Sequence, residues 1–152
     1  MKLSAGICIQ STEKMHDPQF INSTILITEY NKDGSTGFIL NKLFDRKLNG
    51  LVEFQNSKPI PIYNGGPMGQ EHLFFIHKRP DIIEQGTKIG AGIYFSGNFE
   101  QAVDAINNGS LEKGQLKIFK GYCGWDAGDL EAELAEGSWL IVPVAGVELF
   151  NY

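Results

Sequence analysis

Apolar positions along this chain come in short runs broken by 18 dispersed glycines, the pattern of many turns between short elements. Ala5 to Ile9 opens as a strand. Asp17-Pro18 is a helix-start pair, because aspartate accepts from free N–H groups and proline suits the first helical position. Little more than one turn can follow, since Thr24-Ile25-Leu26-Ile27-Thr28-Glu29-Tyr30 is a β-branched strand. Asn31 to Ser35, with its Asp33-Gly34 pair, turns the chain, and Gly37 to Asn41 returns as the partner strand. Leu48 to Phe54 reads equally as a short helix or a loop. Ile60 to Tyr63 is extended, with Pro61 holding it near a sheet edge. Leu73 to His77 and Ile93 to Phe95 are further strands, and Pro80 to Glu84 has room for one helical turn before Gly86.

Two helices are marked more fully. Asn98 caps the first, Gln101 completes a capping-box pattern, and Phe99, Ala102, Val103 and Ile106 share one face until Asn107-Asn108-Gly109. Asp126 is the expected cap of the second, with Trp125 and Leu130 placed as a hydrophobic staple and Gly137 as the stop. Strands Gln115 to Tyr122 and Trp139 to Val142 flank it. A strand-helix-strand unit implies parallel strands, whereas the Asp33-Gly34 hairpin is antiparallel. The expectation is therefore one α/β (α+β) domain over residues 1–152, a mixed parallel/antiparallel sheet with helices packed against it.

Composition changes this picture little. At 152 residues the chain buries about 69% of its unfolded surface, enough for a core without disulfide or metal. A net charge of −5 supplies poorly the cations that phosphate neutralisation draws on, which counts against direct nucleic-acid binding. The densest cationic stretches, Lys42 to Lys47 and Lys113 to Lys120, are short and read as solvated faces. The N-terminal apolar run is too short for a signal-peptide core, and no run is long enough for a membrane helix. With no export signal, Cys8 and Cys123 are expected as free thiols and the protein as cytoplasmic.

No complete catalytic set is visible. His16, His72 and His77 have no metal-ligand spacing, no C-x-x-C is present, and neither a metal nor a cofactor is expected. There is no G-x-S-x-G, and the glycines of Gly65-Gly66-Pro67 and Gly90-Ala91-Gly92 read as tight turns rather than phosphate loops. Asp126, Asp129, Glu131, Glu133 and Glu136 read as the charged outer face of a helix. The stretch Gly121-Tyr122-Cys123-Gly124-Trp125-Asp126-Ala127-Gly128 stands apart. It places two large aromatics and three glycines around a strand-to-helix junction, of the kind where α/β sheets hold ligands. The bland alternative is a staple tryptophan and turn glycines.

This stretch, continued through Asp129-Leu130-Glu131-Ala132-Glu133-Leu134 and Trp139, resembles the signature of the bacterial YqgE/AlgH family. Three more blocks match in order: Asp17-Pro18-Gln19-Phe20 with Ser23 and Glu29; Gly37-Phe38-Ile39-Leu40-Asn41-Lys42; and Gly65-Gly66-Pro67-Met68 with Phe75-Ile76-His77. The resemblance spans roughly residues 4 to 143. It implies a cytoplasmic bacterial protein of mixed α/β fold and carries a transcriptional-regulator label, but no agreed catalytic residues. Asp129 stands where the family usually has Gln, and the Trp-containing C-terminal tail of many members does not follow Tyr152.

The leading expectation is a non-enzymatic binding or regulatory protein acting through a protein or small-molecule partner. The alternative is an enzyme or ligand-binding protein whose site gathers Asn41, Lys42, Gly65, Gly66, Pro67, Tyr122, Gly124 and Trp125 at the Gly121–Gly128 junction. Direct DNA regulation rests on the family label alone, with no helix-turn-helix pattern behind it.

Overall fold

The computed structural model describes residues 2–150. Its strands are β1 (Cys8–Ser11), β2 (Thr24–Asn31), β3 (Gly34–Ile39), β4 (Leu43–Lys47), β5 (Pro61–Asn64), β6 (Met68–His77), β7 (Thr87–Gly90), β8 (Ile93–Phe95), β9 (Leu116–Asp126) and β10 (Trp139–Val142). The two α-helices are α1 (Phe99–Asn108) and α2 (Asp129–Ala135).

The expected α/β class with a mixed sheet is corrected. All ten strands join one sheet, ordered β10-β1-β2-β3-β9-β6-β8-β7, with β4 and β5 joined beside β9, and it is overwhelmingly antiparallel. Among the described residues only β5 against β9 is parallel. The strand-helix-strand inference failed because β10 does not return beside β9. It pairs antiparallel with β1 at the far edge, Trp139 opposite Ser11 and Val142 opposite Cys8. Tight turns account for the antiparallel pairs β2–β3 and β7–β8, because a two-residue loop can only reverse a strand. Between β2 and β3 that loop is Lys32-Asp33, where Asn31 Oδ1 accepts from the Asp33 N–H at 2.8 Å.

Strand alternation feeds three cores. Along β2, Ile25 and Ile27 join Ile9, Ile39, Trp125 and Leu130 beneath α2, while Leu26 between them points to Phe38, Phe119 and Ile76. The third core lies under α1, where Ala102, Ala105 and Ile106 meet Ile62, Phe75 and Ile118. Helix α1 ends as expected at Gly109, in a left-handed conformation, and Asn98 accepts from the Gln101 N–H. Gln101 does not close the capping box. Its Oε1 accepts from the Glu84 N–H instead, tying the helix to the preceding turn.

Other expectations change in detail. Asp126 is not a helix cap: it ends β9 opposite Gly34, and α2 starts after Gly128 with no side-chain cap. Pro61 is not in an edge strand, since β5 lies between β4 and β9; it begins the strand, where its missing N–H is tolerated. Asp17-Pro18 starts a turn closed by the Phe20 N–H on the Asp17 carbonyl, not a helix. Leu48–Gly50 and Val52–Phe54 are single 3-10 turns. Among the described residues, no helix is long and apolar enough to cross a membrane.

Candidate functional site

The site region is organised by a break in β9. Up to Lys120 the strand pairs with β5 on one side and β6 on the other, whereas from Cys123 to Asp126 it pairs with β3. Gly121 lies between, at φ +75°, a conformation that favours glycine. A Cβ there would sit 2.3 Å from the Gly66 carbonyl oxygen. Gly66, at φ +154°, is equally constrained, with the Tyr122 carbonyl carbon 2.2 Å from where its Cβ would be. The Gly65-Gly66-Pro67 turn thus packs backbone against backbone on β9. The Gly65 carbonyl accepts from the Ile39 N–H and from Cys123 Sγ at 3.3 Å, and the Gly65 N–H donates to the Lys120 carbonyl.

Two openings adjoin this seam. Lys42, Gly66 and Pro67 meet Gln19, Asn64 and Gln70 around a polar hollow of about 420 Å³. Its polar groups hold one another: Lys42 Nζ donates to the Gln19 carbonyl at 3.1 Å, Gln70 Nε2 donates to Asn64 Oδ1 and the Gly66 carbonyl, and Lys120 Nζ donates to Gln70 Oε1. On the other side of Tyr122 a groove of about 640 Å³ runs over the β3–β9 ladder to the start of α2. Tyr122, Gly124 and Trp125 line it with Phe20, Met68, Glu29, Asp33, Asp126, Asp129 and Glu133.

The candidate residues therefore do not form one crevice. Lys42, Gly66 and Pro67 share the hollow; Tyr122, Gly124 and Trp125 share the groove; the two openings have no lining residue in common. Gly65 is a buried spacer between them. Asn41 lies at a third opening, and its amide is spent locally, accepting from the Thr24 N–H and donating to the Asn22 carbonyl.

Trp125 is a wall rather than a stacking platform. It is 8% exposed and packs edge-on against Trp139, with Phe20 against both rings. Glu133 Oε1 accepts from both indoles, at 3.3 Å from Trp125 and 2.9 Å from Trp139, which docks the otherwise uncapped α2. Both thiols are free and fully buried, and burial pushes each up to about 12, so neither is a nucleophile near neutral pH. His77, at the end of β6, is buried with both ring nitrogens engaged. Nδ1 accepts from the Arg79 N–H at 3.1 Å, so Nε2 carries the proton toward the Ser96 carbonyl. Burial pulls its pKa down and outweighs that hydrogen bond.

What sequence reasoning missed is the charge of the groove. Glu29 and Asp33 of the hairpin join Asp126, Asp129 and Glu133, giving five carboxylates and no cationic residue in the lining. None of the five is in an ion pair among the described residues. Nor do the described residues hold any cluster of three or more His, Cys, Asp or Glu arranged to bind a metal ion. The carboxylates are spread along the groove. No spacing rule joins residue 33 to residue 126; only the β3–β9 register does.

The AlgH-like family model matches residues 7–151. A UPF0301 protein of Chlorobaculum tepidum is 32% identical over 98% of this chain and 80% of its own length. One of Parabacteroides distasonis is 40% identical over 84% of this chain and 65% of its own. Among solved structures, the AlgH protein of Pseudomonas aeruginosa superposes with a TM-score of 0.78 at 28% identity, covering 99% of this chain and 85% of that one. A Corynebacterium diphtheriae protein reaches 0.81 at 20% identity, covering 99% and 81%, a likeness of fold alone.

Proposed function

The chain belongs to the AlgH-like family, and from that premise we propose that it is a binding protein that takes a cationic segment of a partner protein into the groove beside β9 and α2. One observation carries the reading: five unneutralised carboxylates line a single groove together with the exposed Met68, the half-buried Tyr122 and the Trp125 wall. Spread carboxylates beside apolar surface suit an extended basic chain, whose aliphatic stems cover the apolar floor while their charges reach the rim. The same charge repels phosphate, so regulation through a protein partner fits the groove better than regulation through DNA.

The test is a fluorescence titration with a lysine- and arginine-rich peptide against a glutamate-rich peptide of equal length. The basic peptide is expected to change the tryptophan emission and to bind more weakly as salt rises, because the attraction is screened. Asp126→Asn with Asp129→Asn is expected to weaken it about tenfold, two rim charges at roughly 0.7 kcal/mol each. Equal binding of both peptides, or an unchanged affinity in the double variant, overturns the proposal.

A further inference from the structure

The stretch Lys113 to Lys120 has the composition of a solvated face, yet Lys117 turns inward. Its side chain is 2% exposed, near the start of β9 opposite Ile76 of β6. Among the described residues no hydrogen bond or ion pair reaches its Nζ, which rests 4.0 Å from the centre of the Tyr63 ring. No fully buried side-chain nitrogen or oxygen among those residues is without a partner. The Nζ therefore keeps a trace of solvent contact, and the cavity Lys117 lines supplies it. That cavity holds about 340 Å³ and is walled by Thr24, Leu40, Leu43, Tyr63, Val147 and Glu148.

A lysine in such a place is unusual chemically. An ammonium held out of water is disfavoured against the free amine, and burial brings Lys117 down to about 8 from 10.5. At pH 7 about one molecule in ten then carries the free amine, against about one in 3000 for an ordinary lysine. Desolvation of this kind is how an amine becomes a nucleophile toward carbonyl carbon.

We propose that Lys117 is an amine nucleophile that holds a small aldehyde or ketone in this cavity as an imine. The Nζ lone pair adds to the carbonyl carbon, the C=O π pair moves to oxygen, and a proton passes from the nitrogen to that oxygen. The carbinolamine then loses its hydroxyl as water while nitrogen gives up a proton, leaving C=N. One water is released and nothing is oxidised or reduced. The cavity size admits a small molecule, and the apolar walls of Leu40, Leu43 and Val147 suit a short hydrocarbon tail. This site is separate from the acidic groove and stands or falls apart from it.

The test treats the whole protein at pH 7 with propanal and cyanoborohydride, which fixes any imine as a propyl amine, and maps the modified lysines by mass spectrometry. Lys117 is expected to be modified about 30-fold faster than the exposed Lys113, part of its amine advantage being offset by restricted access. Leu43 is 68% exposed at the cavity wall, so Leu43→Trp tests the route without touching the core. That variant is expected to slow Lys117 at least fivefold and leave Lys113 unchanged. Modification of Lys117 no faster than Lys113 overturns the nucleophile, and an unchanged rate in Leu43→Trp overturns the cavity as its binding place.

Discussion

The two halves of β9 treat charge in opposite ways. Before Gly121, Leu116, Lys117, Ile118 and Phe119 are all buried, and the strand absorbs a cation into the interior against the Tyr63 ring. After Gly121, Cys123 and Trp125 are buried while Gly124 and Asp126 face solvent, and the carboxylates stay hydrated along an open groove. The first half has sheet partners on both sides and cores on both faces. The second half trades β5 and β6 for β3 and opens one face to water. One strand thus offers a desolvated amine at one end and a solvated anionic surface at the other, separated by a single left-handed glycine.

The largest expected effect strikes the second half. Trp125→Ala removes the wall shared by the groove and the α2 core and is expected to cost about 3–5 kcal/mol in denaturant unfolding. Gly121→Ala strikes the joint itself. A Cβ at positive φ driven toward the Gly66 carbonyl is expected to cost about 2–4 kcal/mol and to disturb both openings at once. If its loss is within about 0.5 kcal/mol, the two halves are not set by that glycine.

Lys117→Met sharpens the contrast from the other side. Replacing an uncompensated buried cation by an apolar chain of similar length is expected to raise stability at pH 7 by about 1–3 kcal/mol. The gain has a sign in pH. Because the native pKa lies below the unfolded one, the wild type carries the full penalty below about 8 and sheds it as pH rises toward 10.5. Tyr63 and Glu148 also face this cavity, and Cys8 and Cys123 titrate above it, so the difference between wild type and variant is the measurement. A difference flat from pH 7 to 10 would place the ammonium in water after all.

Two smaller effects complete the series. Glu133→Ala leaves both indole N–H groups without their acceptor and is expected to cost about 1–2 kcal/mol. It should also shift tryptophan emission. His77 pairs across from Leu116 and belongs to the interior half. Its native pKa is depressed, so the stability it contributes is present above the unfolded value near 6.5 and is lost as pH falls below it. A His77→Gln variant whose stability falls just as steeply between pH 6.5 and 5 would remove His77 as the cause.

The local signals were legible where the physics is local. The Asp33-Gly34 turn, the Asn98 cap and the Gly109 and Gly137 stops each act within a few residues, and each stands in the structure. The family was legible too, because its blocks are strings of adjacent residues. The tentative site was legible only in part. Gly65, Gly66 and Tyr122 do meet at one seam, but the steric demand that makes those glycines necessary comes from a strand more than 50 positions away.

Pairing partners were decided elsewhere. The apolar run of β10 suits a place beside β9 or beside β1 equally well. It lies beside β1 because Trp139 and Ile141 there close the same core as Ile9, Trp125 and Leu130. Whether Lys117 is solvated or buried was likewise not a property of its segment, since every other residue lining its cavity is distant from it in sequence. The sequence by itself determined the hairpin turn, the Asn98 cap, the two helices and family membership, all consequences of short-range chemistry along the chain. Only the tertiary structure decided sheet order, the acidity of the groove and the desolvation of one lysine, because register and burial are set by contacts between segments far apart along the chain.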